Sequence, residues 1–447
     1  MKEKRVFDFT DIEALSTNDK LDYGQLNKKR KEYTVGPVIG DTIIVSIVCY
    51  DNTAFDCVYR FREVDDIHTM IKNGEPLHLE GSYIFGFYFN DTAKHKLIEL
   101  HAEFSFWDGD VSFEEATFGD GYVSFDGANF GDGNINFEDT SFGEGVVNFS
   151  RVNFGNGDTS FFGANFGNGD VNFYDTQLEN GNINFNGAAF GDGDIRFGFS
   201  SFINGETSFL LTTFGNGDIS FEMAHMGKVT FTGNQFKSIV DMRFKDIQEL
   251  KIQDCTIEKI LKVDGFPQVL SFLNTINLGQ IYIDWWNCNV YKSISNSTYN
   301  ADRPDQFRML KENYHTIGDY DAEDNAYRAY MKCKTSDKWY RWPLKFFSLV
   351  GGYGTQPFTI ILAMLAAWIA FAAVYTFFLA GQFDLSSVKS FSDALYYSGI
   401  TFLTIGYGDI APAVTGTALR FVSIAEGFVG LFLMSYLTVA VVRKILR

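Results

Sequence analysis

The sequence is poor in the features that mark most soluble function classes. Its five cysteines (Cys49, Cys57, Cys255, Cys288, Cys333) are odd in number and show no metal-ligand spacing. That excludes a disulfide framework and reads as buried or free thiols in a reducing compartment. The N-terminus, Met1-Lys-Glu-Lys-Arg5, leads into polar sequence without an apolar stretch, so no signal peptide is expected and the N-terminal part should stay in the cytoplasm. No nucleophile–base pair, Walker loop or metal-ligand cluster stands out, so no enzyme and no cofactor are expected. No arginine-rich helix offers a voltage sensor. Basic residues are scarcest between Phe106 and Met226, where only Arg151 and Arg196 face 12 Asp and 7 Glu. That segment carries −17 of the chain's net −19. Such an acidic body argues against a nucleic-acid partner and leaves open a DNA mimic or a cation-attracting surface.

What the chain does have is a repeat. Phe stands at 113, 125, 137, 149, 161, 173, 185, 197, 209 and 221, a fixed period without a miss. A second column runs from 106 to 226 at the same spacing, Phe except at Leu178 and Met226. Two residues before each first Phe sits a β-branched residue (Val111, Val123, Ile135), and two before each second Phe a smaller one (Ala116, Ala128, Thr140). Period 2 points both members of each pair inward. The Gly-x-Gly pairs between them predict corners with positive φ. Self-similarity at a fixed period means a solenoid whose stacked units bury one core.

The small-x-Phe steps five residues apart resemble the pentapeptide-repeat family, which implies a square right-handed β-helix over roughly 106–245. Here alternate sides are seven residues long through the Gly-x-Gly insertion. Two 12-residue units would then make one 24-residue coil with four inward Phe; a flat 12-residue coil would overfill its core. The corner Asp residues invite a calcium reading, but Asp alternates with Asn (Asn156, Asn168, Asn216), and turn chemistry accounts for the corners without metal. The family also includes acidic solenoids that mimic DNA and inhibit a topoisomerase, a reading that makes no use of the C-terminal segments described next.

Around the repeat, 1–34 is a polar arm with a basic run at Lys28–Lys31, and 35–105 is a small β-rich cap. Strands are expected at Thr42–Cys49 and Ser82–Phe89, with a short helix at Asp65–Asn73. Residues 246–300 read as irregular β closing the solenoid. Residues 301–335 read as a helical hairpin, with Phe307, Leu310, Tyr314 and Ile317 on one face and Gly318 ending the first helix. Residues 338–354, opening Lys338-Trp-Tyr-Arg-Trp-Pro343, have the composition of an interfacial helix.

The last segment, 355–447, holds two long apolar stretches, 357–380 and 419–442, each enough to span a bilayer. Between them, a helix at 391–403, capped by Ser390 or Ser392, is too short to cross. It leads into Thr404-Ile405-Gly406-Tyr407-Gly408-Asp409, whose glycines permit the dihedrals a row of inward carbonyls needs. Lys338, Arg341 and Lys345 flank the first stretch and Arg443, Lys444 and Arg447 the second, which puts both termini in the cytoplasm. Glu426 is an acid inside the second stretch, and intramembrane acids are functional by default.

Ala394 to Pro412 resembles the pore of two-transmembrane potassium channels. Together with the repeats, the chain resembles bacterial pentapeptide-repeat-containing potassium channels. The resemblance implies a homotetramer in the cell (inner) membrane, with both ends inside and K⁺ as the permeant ion. Thr404 would supply an ion site through its carbonyl and hydroxyl; Ile405, Gly406 and Tyr407 would supply carbonyls; Gly408 would shape the outer mouth; and Asp409 would concentrate cations there. Leu403 and Tyr396-Tyr397 depart from the commonest pattern. Gly430 stands where the family often has its inner-helix hinge, with Gly427 three residues earlier; close helix packing explains them equally well. Glu426 either braces the pore helix or faces the cavity. A non-selective cation channel and a membrane-tethered acidic scaffold remain as alternatives, and a cytoplasmic ligand or protein partner for the acidic part stays open.

Overall fold

The computed structural model describes residues 30–49, 53–73, 75–87, 96–97, 100–298, 301–335, 341–378, 390–406, 410–412 and 416–446. Expectations for 1–29, Lys338–Tyr340, the end of the first span at 379–380, Tyr407, Gly408 and Asp409 lie outside those residues. The chain divides into two compact units, Met1–Met309 and Leu310–Arg447.

The first unit is a four-sided β-solenoid. Val123 pairs in parallel with Val147, Val147 with Val171, and so on to Ile219, so each coil takes two repeat units. A second face runs from Val111 through Ile135 and Thr159 to Thr207. Two columns of single bridges, such as Thr117–Ser141–Asn165 and Asn129–Asn153–Gln177, make the other two sides. Each Phe-rich coil therefore holds four inward side chains, all Phe except where Leu178 stands; Phe137, Phe142, Phe149 and Phe154 are all fully buried.

The rings explain why Phe fits. Phe113, Phe137, Phe161, Phe185, Phe209 and Phe231 stack with centroids 4.7–5.2 Å apart and planes within 7°. Parallel strands repeat every ~4.8 Å, so identical side chains in register meet at the distance of offset-stacked rings. Across the core the columns meet edge to face, as in Phe137–Phe149 at 5.6 Å and 77°. Each ring thus presents its negative face along the axis and its positive edge sideways, worth about 0.5–1.5 kcal/mol per pair beyond burial.

The corners differ from expectation. Positive φ falls mainly on the residue two after each first Phe: Glu115, Gly127, Asp139, Arg151, Gly163, Asp175, Gly187, Phe199, Leu211 and Met223. Seven of these ten are not glycine. Of the corner glycines, Gly143, Gly155 and Gly167 have positive φ, but Gly133, Gly145, Gly157, Gly169 and Gly181 do not. These are glycine because the preceding coil's backbone is in the way: a Cβ on Gly157 would lie 2.0 Å from the Gly133 carbonyl oxygen.

The same corners account for the acidic composition. Asp110 accepts from the amide of Asn134, Asn134 from Asp158, Asp158 from Asn182, and Asn182 from Glu206, at 2.8–3.1 Å. A second column runs through Asp120, Glu144, Asn168, Asp192 and Asn216. Asn156, Asn168, Asn182 and Asn216 also donate through Nδ2 to the acid one coil back, as Asn216 does to Asp192 at 2.9 Å. Alternating Asp and Asn therefore supplies donors and relieves like-charge contact between coils.

The solenoid extends beyond the Phe-rich repeats at both ends. Strands β1 (Arg30–Ile39), β2 (Thr42–Cys49) and β3 (Ala54–Phe61) form an antiparallel meander. Helix α1 (Val64–Asn73) follows, and coil strands begin with β4 (Leu77–His78) and β5 (Ser82–Phe85); of the strand predicted over Ser82–Phe89, Gly86 and Phe87 are not in strand and 88–89 lie outside the described residues. β3 pairs with β5, and β5 with Phe106–Asp108, so the meander continues one face of the solenoid and covers its edge. Tyr33 and Tyr83 both donate to Asp108, at 2.5 and 2.7 Å. Burial, then Asp108, pushes both phenols well above their usual range, keeping them donors.

At the other end, 246–300 is not irregular. The ladder continues through Ile283 with shorter coils, Val240 pairing with Leu261 and Leu250 with Leu270. Dropping the Gly-x-Gly insertion shortens the sides without interrupting the pairing. Helix α2 (Val290–Asn296) packs on this last coil, with Asn296 donating to the Gln268 carbonyl at 2.9 Å. The free amide of Phe272 is taken by Gln306 Oε1 at 2.9 Å, from helix α3 (Arg303–Ile317). Cys57, Cys255 and Cys288 are buried thiols, and burial pushes Cys255 up to about 11 and Cys288 up to about 12.

Two glycine substitutions separate close approach from dihedral freedom. Gly157→Ala should abolish cooperative folding of the solenoid or cost several kcal/mol, because the obstacle is backbone. Gly187→Ala, at φ 70° with its nearest neighbour 3.8 Å away, should cost only about 1 kcal/mol. Thermal unfolding followed by circular dichroism checks both; equal losses would contradict the distinction.

Candidate functional site

The second unit is helical. After α4 (Tyr320–Thr335) come α5 (Trp342–Gly351), α6 (Pro357–Phe378), α7 (Phe391–Phe402) and α8 (Thr417–Ile445). α6 and α8 are long and apolar enough to cross a membrane. Most of their surface is exposed within this chain. On α8 the buried positions are Leu419, Glu426, Gly430, Leu433 and Ala440, one stripe, while Phe421, Ile424, Phe428 and Leu431 face outward. A helix apolar on its exposed side requires lipid or another chain there.

α7 is set by its first residue. Ser390 accepts from the amide of Asp393, and the Asp393 carboxylate accepts from the Ser390 amide at 3.0 Å, a reciprocal cap. The helix ends at Phe402, three turns on. The amides of Leu403, Thr404 and Ile405 turn back onto the carbonyls of Gly399, Thr401 and Ile400, at 3.0, 3.1 and 2.8 Å. Thr404 takes φ 57° and Gly406 φ 65°, with Ile405 between them outside the left-handed region. A β-branched residue there is strained, and three consecutive backbone hydrogen bonds hold it.

Behind this loop, α7 is fastened to both long helices. Glu426 on α8 is fully buried. Its Oε1 accepts from Ser398 on α7, and its Oε2 accepts from Tyr375 on α6 at 2.5 Å. Tyr397 and Ser423 share a hydrogen bond at 2.8 Å, and Trp368 Nε1 donates to the Leu395 carbonyl at 3.0 Å. Around them pack Tyr375, Ala394, Tyr397, Ile400 and Leu419. Gly430 lies against the end of α7, where a Cβ would meet the Phe402 carbonyl oxygen at 2.0 Å. A Cβ on Gly427 would meet only the Thr401 carbonyl oxygen outside its own helix, at 4.0 Å.

Of the residues singled out in the sequence, Thr404, Ile405 and Gly406 thus form one turn directly after α7. Glu426 and Gly430 touch α7 from behind, and Tyr407, Gly408 and Asp409 are outside the described residues. Sequence reasoning did not single out Tyr375, Ser398, Ser423 or Trp368. Their only signal was polarity inside otherwise apolar helices.

The far end of α8 is held separately. Arg443 pairs with the buried Asp324 of α4 at 3.0 Å and lies over the Tyr327 ring at 4.7 Å, while Lys444 reaches Asp321 at 3.0 Å. Arg328 of α4 donates to Asn325 and, at 3.3 Å, to Thr355 just before α6. Burial pulls its guanidinium down, against Asp324 and Asp321. α4 is therefore tied both to the start of α6 and to the end of α8.

Residues 363–447 match the family described as Ion channel. Two-pore potassium channel 4 of Arabidopsis thaliana is 33% identical over 89 residues, which is 20% of this chain and 31% of that protein. The chain spans under a third of that relative's length. No solved structure gives a significant match. The family resemblance thus falls on the channel-like helices, and it points to transport of ions, not to catalysis.

Glu426→Ala would remove the carboxylate that joins Ser398 and Tyr375, leaving Ser398 to the Trp368 carbonyl at 3.0 Å and Tyr375 to Ser423 at 3.5 Å, and should cost about 1–3 kcal/mol in all. Glu426→Gln keeps an acceptor and the shape. Thermal melts in detergent should rank wild type, Gln, then Ala; an Ala variant as stable as wild type would mean the network contributes nothing.

Proposed function

We propose that this chain is the subunit of a potassium-selective channel of the cell membrane, with four copies bringing the loop from Thr404 to Gly408 around one pore. The observation that carries the reading is the turn itself. A capped helix too short to cross a membrane delivers Thr404 and Gly406 in left-handed conformation, between two helices that are long enough. One loop cannot surround an ion, so several chains are needed, and the exposed apolar face of α8 supplies a surface for them. In the assembled pore, carbonyls from Thr404 to Tyr407 replace the hydration shell of K⁺. Gly408 shapes the outer mouth and Asp409 draws cations to it.

The remaining roles follow from the packing. Glu426 acts as a brace, holding α7 through Ser398 while tying α6 through Tyr375; this favours bracing over a cavity site. Gly430 is glycine for close approach to Phe402, which leaves Gly427 as the freer position for a bend in α8. The charges flanking the two spans favour both termini in the cytoplasm. The acidic solenoid, pentapeptide-like in its core spacing, then serves assembly or gating there, and the Asp324–Arg443 pair is the contact through which α4 acts on the end of α8.

In planar bilayers the purified protein should give currents whose reversal potential follows the K⁺ gradient. A reversal potential indifferent to exchanging K⁺ for Na⁺ would favour a non-selective pore, and no current at all a scaffold. Gly406→Ala should reduce conduction at least tenfold without changing the assembly measured by size-exclusion and cross-linking. Alanine costs about 1–2 kcal/mol in each copy at that φ, and normal conductance would place the ion path elsewhere.

A further inference from the structure

The first two coils of the solenoid repeat a short pattern that the Phe columns obscure. Leu77-His78-Leu79-Glu80-Gly81-Ser82-Tyr83 is followed by Leu100-His101-Ala102-Glu103-Phe104-Ser105-Phe106. The ladder places them one above the other. Leu77 pairs with Leu100 and His78 with His101, and the amides of Leu79 and Gly81 donate to the carbonyls of His101 and Glu103 at 2.7 and 2.9 Å. Period 2 sends Leu77, Leu79, Leu100 and Ala102 into the core, all at most 1% exposed. It sends His78, Glu80, His101 and Glu103 to the same outer face. β4 is the last strand of the ten-stranded sheet, with Leu100–His101 beside it.

Two imidazoles and two carboxylates therefore converge at the end of one face. The donor atoms of Glu80, His101 and Glu103 all lie within 4.8 Å of one another. The His78 ring stacks on that of His101 at 5.1 Å, and its Nδ1 is 3.4 Å from Glu80 Oε1. A second observation points the same way. Glu103 Oε2 is buried, and among the described residues it has no hydrogen-bond partner. A carboxylate oxygen withdrawn from water without a donor is costly, and a cation at this place would satisfy it.

We propose that His78, Glu80, His101 and Glu103 bind a divalent first-row transition-metal ion. Mixed imidazole and carboxylate donors suit Zn²⁺ and its neighbours, whereas Ca²⁺ and Mg²⁺ take oxygen ligands. Such an ion holds its ligands at about 2.0–2.2 Å, so the exposed His78 and Glu80 would close onto the half-buried His101 and Glu103. The bound ion clips the edge strand β4 to the next coil. The site does not depend on the channel reading, since it lies wholly within the solenoid unit.

The test uses untagged full-length protein in detergent, stripped with chelator and kept in saturating KCl. Titration with ZnCl₂ by calorimetry should give one ion per chain, and CoCl₂ should develop visible absorption. Glu80→Gln, an exposed position that leaves the fold intact, should weaken Zn²⁺ at least tenfold. His101→Asn with Glu103→Gln should abolish binding, and a matching far-ultraviolet spectrum shows that the coils persist. His315→Asn, outside the cluster, should change nothing. Zn²⁺ binding unaltered by Glu80→Gln, no binding by wild type, or equal affinity for Ca²⁺ would each overturn the assignment.

Discussion

The first unit depends on one distance, the ~4.8 Å between neighbouring strands of a parallel ladder. Every other feature of the solenoid is what that spacing permits when coils lie in register. Flat rings fit it, so Phe113 sits on Phe137 and Phe137 on Phe161 with almost parallel planes. Backbone corners fit it only without a Cβ between them, as at Gly157 above Gly133. Short amide and carboxylate side chains span it with one hydrogen bond, as Asn182 does to Asp158. The acidity of the segment is in large part a by-product of corner chemistry: Asp, like Asn, is short enough to accept from an amide one coil away and still favours a turn.

The helical unit depends on a different constraint, the need to hold a short helix in place where water cannot satisfy its neighbours. Ser398 and Tyr375 meet at Glu426 because its carboxylate would otherwise be buried without a donor. The network joins three helices at one carboxylate, which makes it sensitive to the loss of that residue and tolerant of change at the periphery. Gly430 adds a steric condition to the polar one, because α8 reaches the end of α7 only where there is no side chain.

Much of the solenoid could be read from the sequence because its signal is linear. The unbroken Phe column from Phe113 to Phe221 states the repeat, and the volume of two facing Phe columns decides for coils of two units over coils of one. The corners were harder. Glycine is needed both for positive φ and for close approach, and a sequence does not separate the two. The positions that are left-handed carry Glu, Asp, Arg, Phe, Leu and Met as well as Gly, so no residue type marks them. The shorter coils that follow the Phe-rich repeats were read as irregular because their Phe columns stop, although their Leu and Ile continue the alternation. In the second unit, Glu426 stood out as an acid in apolar surroundings. Its partners did not, since the rotation of α6 and α7 toward α8 is a tertiary fact. The His-x-Glu pair escaped notice for a related reason, because its halves at His78 and His101 are distant in sequence and meet only through ladder register.

Both ends of the solenoid are closed by elements that have no copy within it: the antiparallel meander β1–β3 before the first coil, and α2 with Gln306 after the last. Between them each coil touches only its neighbours. The length of this part is therefore quantised. One full coil inserted or removed between Val111 and Met226 would change it by ~4.8 Å while leaving every interior contact of the same kind and both closures intact. Such a body works as an adjustable ruler, whose reach is set by counting repeats rather than by redesigning any of them.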